Sequence, residues 1–222
     1  MQTATQLLAA ITALPSPTSA IASLEAKKSG KRLPESLLLR RAKVLGLNED
    51  HHPKVKQLAI SCDIFLISCL TDNRACGTWF IVEGNTGCGK SHCAKRIRTF
   101  YNGSKIEFWK GVRGHIPNAL WGYWPEVVGW KDEDFDDFVS EACGAKLVIL
   151  DDIGAEEEKY RSGAPAARLS RVLERCDGKW LFATTNVPAD KWKDRWDQRA
   201  SDRLLAGNRL SLFEVPSYRG KK

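Results

Sequence analysis

The order of apolar and polar positions changes character near Asp72. Before it, apolar residues recur at helical spacing. Leu7, Leu8, Ile11 and Leu14 give a short helix candidate, followed by a loose Pro/Ser/Lys segment that runs to residue 33. From Pro34, "PESLLLRRAKVLGLN" predicts a helix that opens with Pro and an acid and stops near Gly46. His52–Leu70 predicts a second, mostly buried helix with its basic residues mainly in the first turn. After Asp72, short apolar runs alternate with amphipathic stretches. Trp79–Val82, Lys105–Trp109, Leu147–Leu150, Trp180–Thr184 and Leu210–Val215 are predicted strands. Predicted helices lie between them: Lys90–Tyr101, the stretch "DEDFDDFVSEACG", Ala164–Cys176, and two more before the last strand. Cys93, Ile97, Phe100 and Tyr101 share one face of the first; Leu169, Val172, Leu173 and Cys176 share one face of the third. Alternation of this kind implies a parallel sheet covered on both faces, an α/β fold. The chain accordingly divides into a partly flexible, helical N-terminal region, residues 1–72, and an α/β domain, residues 73–222.

Composition narrows the picture only a little. The 222 residues suffice for one sizeable domain and a smaller appendage. Thirty-four Lys and Arg against 27 Asp and Glu leave a formal charge of +7, which permits a polyanionic partner without identifying one. The seven cysteines contain no CxxC pair, and several sit inside apolar runs, as expected of free thiols in a reducing cytoplasm. The spacing of His51, His52, Cys62, Cys69 and Cys76 matches no usual zinc pattern. "MQTATQLLAAITALPSPTSA" lacks the positive start of a signal peptide, and no run reaches the roughly 18 apolar residues of a membrane helix.

Four stretches carry chemistry. "GNTGCGKS", Gly84 to Ser91, follows a predicted buried strand and opens a predicted helix. Glycines at such spacing let the backbone curl so that its N–H groups meet phosphate oxygens. Lys90 then reaches the β- and γ-phosphates, the Ser91 hydroxyl can coordinate Mg²⁺, and the helix adds its positive end. Cys88 is expected to be an accessible thiol inside the loop. "KLVILDDIGAE" delivers Asp151 and Asp152 to the carboxyl edge of a buried strand, where open α/β sheets bind ligands. The usual division of labour places Asp151 near Mg²⁺ and lets Asp152 orient an attacking water. "WLFATTNVP" ends a buried strand in Asn186, whose amide either bonds the γ-phosphate or water, or simply caps a helix. In "RASDRLLAGNRLSLFEVPSYR", Arg199 and Arg203 lie one turn apart and Arg219 follows the last strand. Such arginines are ordinarily solvated, but one of them can reach the γ-phosphate held by a neighbouring subunit.

Two further stretches have a plain reading beside a functional one. In "FWKGVRGHIPNALWGYWPEVVGW", Lys110, Arg113 and His115 with Trp121, Tyr123 and Trp124 form either a single-stranded DNA surface or aromatic packing onto the sheet. "DEDFDD" reads as a dipole-stabilised helix start rather than a metal site.

In this order and spacing, GNTGCGKS, LVILDDIGAE, ATTN, SDRLL and SYR resemble the AAA+ ATPases of the DnaC type. These are bacterial and phage helicase loaders, and the IstB transposition ATPases stand beside them. The resemblance spans roughly residues 77–219. It implies a P-loop NTPase fold of AAA+ type and an ATP hydrolase that uses Mg²⁺. Gly84, Asn85, Thr86, Gly87, Cys88, Gly89, Lys90, Ser91 and His92 would hold ATP, with Ser91 and Asp151 on the metal. Asp151 and Asp152 would be Walker B and Asn186 sensor 1. Arg203 would be an arginine finger acting in trans within a homo-oligomer, with Arg199 the neighbouring option, and Arg219 sensor 2. The implied partners are a hexameric replicative helicase, bound through the N-terminal region, and single-stranded DNA. The implied place is the cytoplasm of a bacterium or of a phage-infected cell. An IstB-like transposition helper shares these motifs. A superfamily 3 viral replication helicase shares several, though His51-His52 is not its usual His-hydrophobic-His nicking site. A module that holds ATP as a switch, with negligible turnover, is the reading from another class.

Overall fold

The structure is a computed structural model and describes residues 52–71, 77–108, 118–156 and 163–219. Helix α1 spans Pro53–Thr71. Strand β1, Trp79–Glu83, leads into α2, Lys90–Phe108. Strand β2, Leu120–Tyr123, runs straight into the single-turn α3, Trp124–Val127. Then follow α4 (Asp132–Gly144), β3 (Leu147–Ile153), α5 (Ala164–Arg175) and β4 (Trp180–Thr185). Short α6, Trp192–Arg195, precedes α7, Gln198–Ala206, and strand β5, Asn208–Ser211.

The five strands form one sheet in the order β2-β3-β4-β1-β5, every neighbouring pair parallel. A parallel sheet is covered on both faces, so its strands are apolar almost throughout. The period of two then sorts side chains to opposite layers. On β4, Trp180 and Phe182 join one core cluster while Leu181 and Ala183 join the other. On β3, Leu147 and Ile149 go with the first, Val148 and Leu150 with the second. Leu58, Phe65 and Cys69 of α1 and Ile97 and Tyr101 of α2 cover the first face. Phe135, Phe138, Leu169, Val172 and Leu204, from α4, α5 and α7, cover the second. Phe65 meets Trp180 edge-on at 5.4 Å, and Phe80 meets Phe182 likewise at 5.6 Å. Cys62, Cys69, Cys88, Cys93 and Cys176 are buried thiols outside any disulfide, and burial pushes the Cys176 thiol up to about 12.

The acids that open α4 face α5. Asp132 and Asp136 pair with Arg168 and Arg171, whose guanidinium groups also lie over the Phe135 ring. The sequence and structure part company in the Trp/Gly-rich stretch. Residues 105–108, expected in a strand, continue α2. A short apolar run is ambiguous by periodicity, and extending an existing helix is cheaper than starting a new element. The second strand is instead Leu120–Tyr123. Gly122 fits there because a Cβ would stand 2.8 Å from the Phe138 ring and 3.2 Å from Val127. Trp124 is fully buried, and Arg98 lies over the half-buried Trp121 at 5.6 Å, so both rings pack. Lys110, Arg113 and His115 lie outside the described residues. The last strand ends at Ser211, four residues short of expectation, because Leu212–Val215 forms a turn in which Val215 N–H donates to Leu212 O at 3.0 Å.

Phe182, fully buried at the centre of the sheet, stacks against two other rings. Phe182→Ala should cost about 3–5 kcal/mol in urea unfolding, the usual range for emptying such a site. A cost below roughly 1 kcal/mol would contradict this packing.

Candidate nucleotide-binding site

The loop Gly84–Gly89 connects the carboxyl end of β1 to the first turn of α2. Its entry is tied to the sheet by Gly84 N–H donating to Thr185 O at 3.1 Å. Gly87 and Gly89 have φ of +86° and +101°, a region open to glycine and costly for other residues. Gly87 has a second reason to lack a side chain: a Cβ there would strike the Ser217 hydroxyl.

Lys90 is only 5% exposed. Its ammonium donates to Gly84 O at 2.7 Å, Asn85 O at 2.9 Å and Asn186 Oδ1 at 2.7 Å. Burial lowers its pKa from the usual lysine range, while the Cys88, Asp152 and Asp151 side chains pull it back up. Asn186, just past β4, donates its Nδ2 to Asp152 Oδ1 at 2.6 Å. Three separate motifs thus form one hydrogen-bonded chain, Lys90–Asn186–Asp152. Asp151 is buried behind it, with Oδ1 accepting from Thr184 Oγ1 at 2.6 Å. Burial, and then the neighbouring Asp151 charge, raise the Asp152 pKa; Lys90, Asn186 and Arg219 act against that rise.

These groups border a cavity of about 560 Å³, well within the size range of small-ligand sites. Thr86, Gly87, Cys88, Gly89, Lys90, Ser91 and His92 line its polar end, together with Asp152, Asn186 and Arg219. Val55, Leu58 and Ala59 of α1 form an apolar wall, and Tyr218 and Tyr123 complete the lining. Gly84 and Asn85 stand behind the lining, where their carbonyls hold Lys90. A triphosphate suits the polar end and a flat aromatic base suits the apolar wall. Ser91 lines the cavity and Asp151, buried behind Asp152, does not; both carry hard oxygen atoms of the kind Mg²⁺ takes.

The C-terminal segment clasps this loop from outside. Leu212 N–H donates to Glu83 O at 2.7 Å and Tyr218 N–H to Gly87 O at 3.0 Å. Asn85 Nδ2 donates to Phe213 O at 2.9 Å. The same segment grips α1: Lys54 pairs with Glu214 at 2.8 Å, and His52 N–H donates to the Tyr218 hydroxyl at 3.2 Å. Arg219 reaches the cavity through this clasp.

One sequence expectation changes here. Cys88 is not accessible: it is 0% exposed, in the same apolar cluster as Leu212 and Val215. Arg199 and Arg203 do not line the cavity of their own chain. Arg203, on α7, has a 35% exposed side chain that faces Glu174 at 3.6 Å, too long for a hydrogen bond. Arg199 is exposed. Tyr123, Tyr218 and the α1 wall were not anticipated. Tyr218 lies inside the quoted SYR motif, whereas Tyr123 depends on a strand that periodicity does not reveal.

Fold and site together are a five-stranded parallel sheet flanked by helices, with the glycine loop at its carboxyl edge. The fold is similar to that of the DnaC helicase loader, with a TM-score of 0.57 and 16% identity over 78% of this chain and 98% of that one. It is similar to DnaI, with a TM-score of 0.54 and 14% identity over 77% and 93%. It is also similar to AMPPCP-bound DnaA from Aquifex aeolicus, with a TM-score of 0.52 and 14% identity over 72% of this chain and 47% of that one. No protein-family model matches the sequence, and no curated protein matches it significantly. No helix among the described residues is long and apolar enough to cross a membrane.

The raised Asp152 pKa has a consequence for stability. A carboxyl that titrates above its unfolded value favours folding fully below the ordinary carboxylate range, and that contribution is lost as pH rises through the raised value. At neutral pH its ionised form therefore opposes folding. Asp152→Asn should raise the thermal midpoint of the nucleotide-free protein at pH 7, and a lowered midpoint would contradict this.

Proposed function

We propose that the chain is an Mg²⁺-dependent ATP hydrolase of the AAA+ class that assembles with copies of itself and loads a hexameric replicative helicase onto DNA. The observation that carries the hydrolase reading is the Lys90–Asn186–Asp152 chain at the mouth of the glycine loop. A phosphate-binding cation, a sensing amide and a candidate base need to share one cavity, and here they do.

The roles follow from the chemistry of each group. The loop N–H groups and the α2 N-terminus bind the phosphates. Lys90 exchanges its loop carbonyls for phosphate oxygens and offsets their charge. Ser91, and Asp151 from behind the cavity, would hold Mg²⁺, which would supply positive charge against that developing on the phosphates. Asp152 accepts a hydrogen bond from the attacking water and aligns it, while Asn186 reports on the γ-phosphate. Arg219 faces the phosphates from the clasp. Arg203 comes from a neighbouring copy to stabilise the transition state, in keeping with its position outside its own chain's cavity.

The helicase and DNA roles are supported by the helicase-loader likeness and by the +7 formal charge, which favours a polyanion. The N-terminal region, residues 1–72, would hold the helicase, and single-stranded DNA would contact the ATPase domain. The setting is the cytoplasm of a bacterium, phage-infected or not.

Steady-state phosphate release, with and without single-stranded DNA, tests the reading. ATP turnover is expected, and Lys90→Ala should abolish it. Arg203→Ala should also abolish turnover while retaining ATP binding; full turnover in that variant would move the finger to Arg199. A binding-only switch would show ATP affinity without phosphate release. Co-elution of the full chain with a hexameric replicative helicase, and no strand displacement by the chain alone, is the expected partner result. Co-elution with a transposase instead would select the IstB-like role.

A further inference from the structure

We infer that Thr184 is a positioning residue that builds the acidic corner of the site, an inference that rests on reading the cavity as an Mg²⁺–ATP site. The pairing of β3 with β4 is regular from Leu147 opposite Trp180 to Leu150 opposite Ala183. It then shifts, so that Ile153 stands opposite Thr185. Asp151 and Asp152 together therefore oppose Thr184 alone, the two-against-one count of a β-bulge.

The bulge solves a geometric problem. Adjacent residues on a regular strand point to opposite faces of the sheet. Two neighbouring carboxylates would then serve opposite faces, one of them away from the phosphates. The bulge bends the chain at Asp152, whose φ of +64° is the only positive value among the described non-glycine residues. Asp enters that region more readily than most side chains. Its carboxylate thereby meets Asn186 and lines the cavity.

A bulge interrupts the ladder, and the freed groups need partners. The Thr184 hydroxyl supplies them. It accepts from Asp152 N–H at 2.8 Å and donates to Asp151 Oδ1 at 2.6 Å. The residue is 0% exposed, so water cannot replace it at either contact. One hydroxyl thus fixes the backbone turn of one acid and the carboxylate of the other. Valine has the same shape and cannot do either.

The test compares Thr184→Val with Thr184→Ser, measuring kcat and KM for ATP, metal-free nucleotide affinity, and the Mg²⁺ concentration needed for tight ATP binding. A hydrogen bond to a charged group corresponds to roughly tenfold to hundredfold in rate. Thr184→Val should lose kcat by that factor, keep metal-free nucleotide affinity within about threefold, and need about tenfold more Mg²⁺. Thr184→Ser should stay near wild type throughout. Equal kcat in Thr184→Val and wild type, or equal losses in both variants, would overturn the inference.

If wild type binds ATP without turnover, the hydrolase reading fails by itself and the Mg²⁺ requirement still decides on Thr184. Independently of nucleotide, the Asp152 amide should exchange faster than wild type in folded Thr184→Val and at the wild-type rate in Thr184→Ser. Unchanged protection in Thr184→Val would refute the inference even where no nucleotide binds. Should Thr184→Val not fold, Thr184→Ala carries the same comparisons.

Discussion

A buried ammonium must be surrounded by oxygen, because taking such an ion out of water costs several kcal/mol. Lys90 meets that demand with two carbonyls of its own loop and the amide of Asn186. Much of the site follows from this one requirement. Gly84 and Asn85 turn their carbonyls to the ammonium. Asn186 is held from both ends, its oxygen by Lys90 and its nitrogen by Asp152. The bonds that Lys90 makes to oxygen are of a kind that phosphate oxygens can take over.

The same loop is where the two ends of the described fold meet. The segment after β5 packs between the glycine loop and the first turn of α1. Its backbone meets the end of β1 at Glu83 and the loop at Gly87, and its side chains meet α1 at Lys54 and the residue before that helix, His52. Tyr218 touches both partners through one residue, with its N–H on Gly87 and its hydroxyl on His52. The glycine loop is thus joined through this segment to the first turn of α1.

Much of this was legible in the sequence because it is local. Runs such as "WLFATT" and "KLVIL" betray buried parallel strands, and GNTGCGKS, LDDIGAE and TTN carry their chemistry at fixed offsets. Lys90, Ser91, Asp152, Asn186 and Arg219 indeed border one cavity. What escaped was set by distant partners. Strand β2 is four residues long, and Gly122 belongs there only because Phe138 packs across it. With β2 missed, Tyr123 was missed as a lining residue. Cys88 is buried because the turn after β5 covers it, which nothing near position 88 foretells. The bulge is invisible because its extra residue is another aspartate. Arg203 differs in kind, since its proposed role depends on a second copy of the chain.

Amide hydrogen exchange with and without ATP and Mg²⁺ tests most directly whether the buried Lys90 network is the triphosphate site. Slowed exchange is expected across residues 84–92, at 151–154 and at 184–186, with α4 unaffected. Exchange unchanged in the glycine loop at saturating nucleotide would contradict it, as would protection confined to another surface.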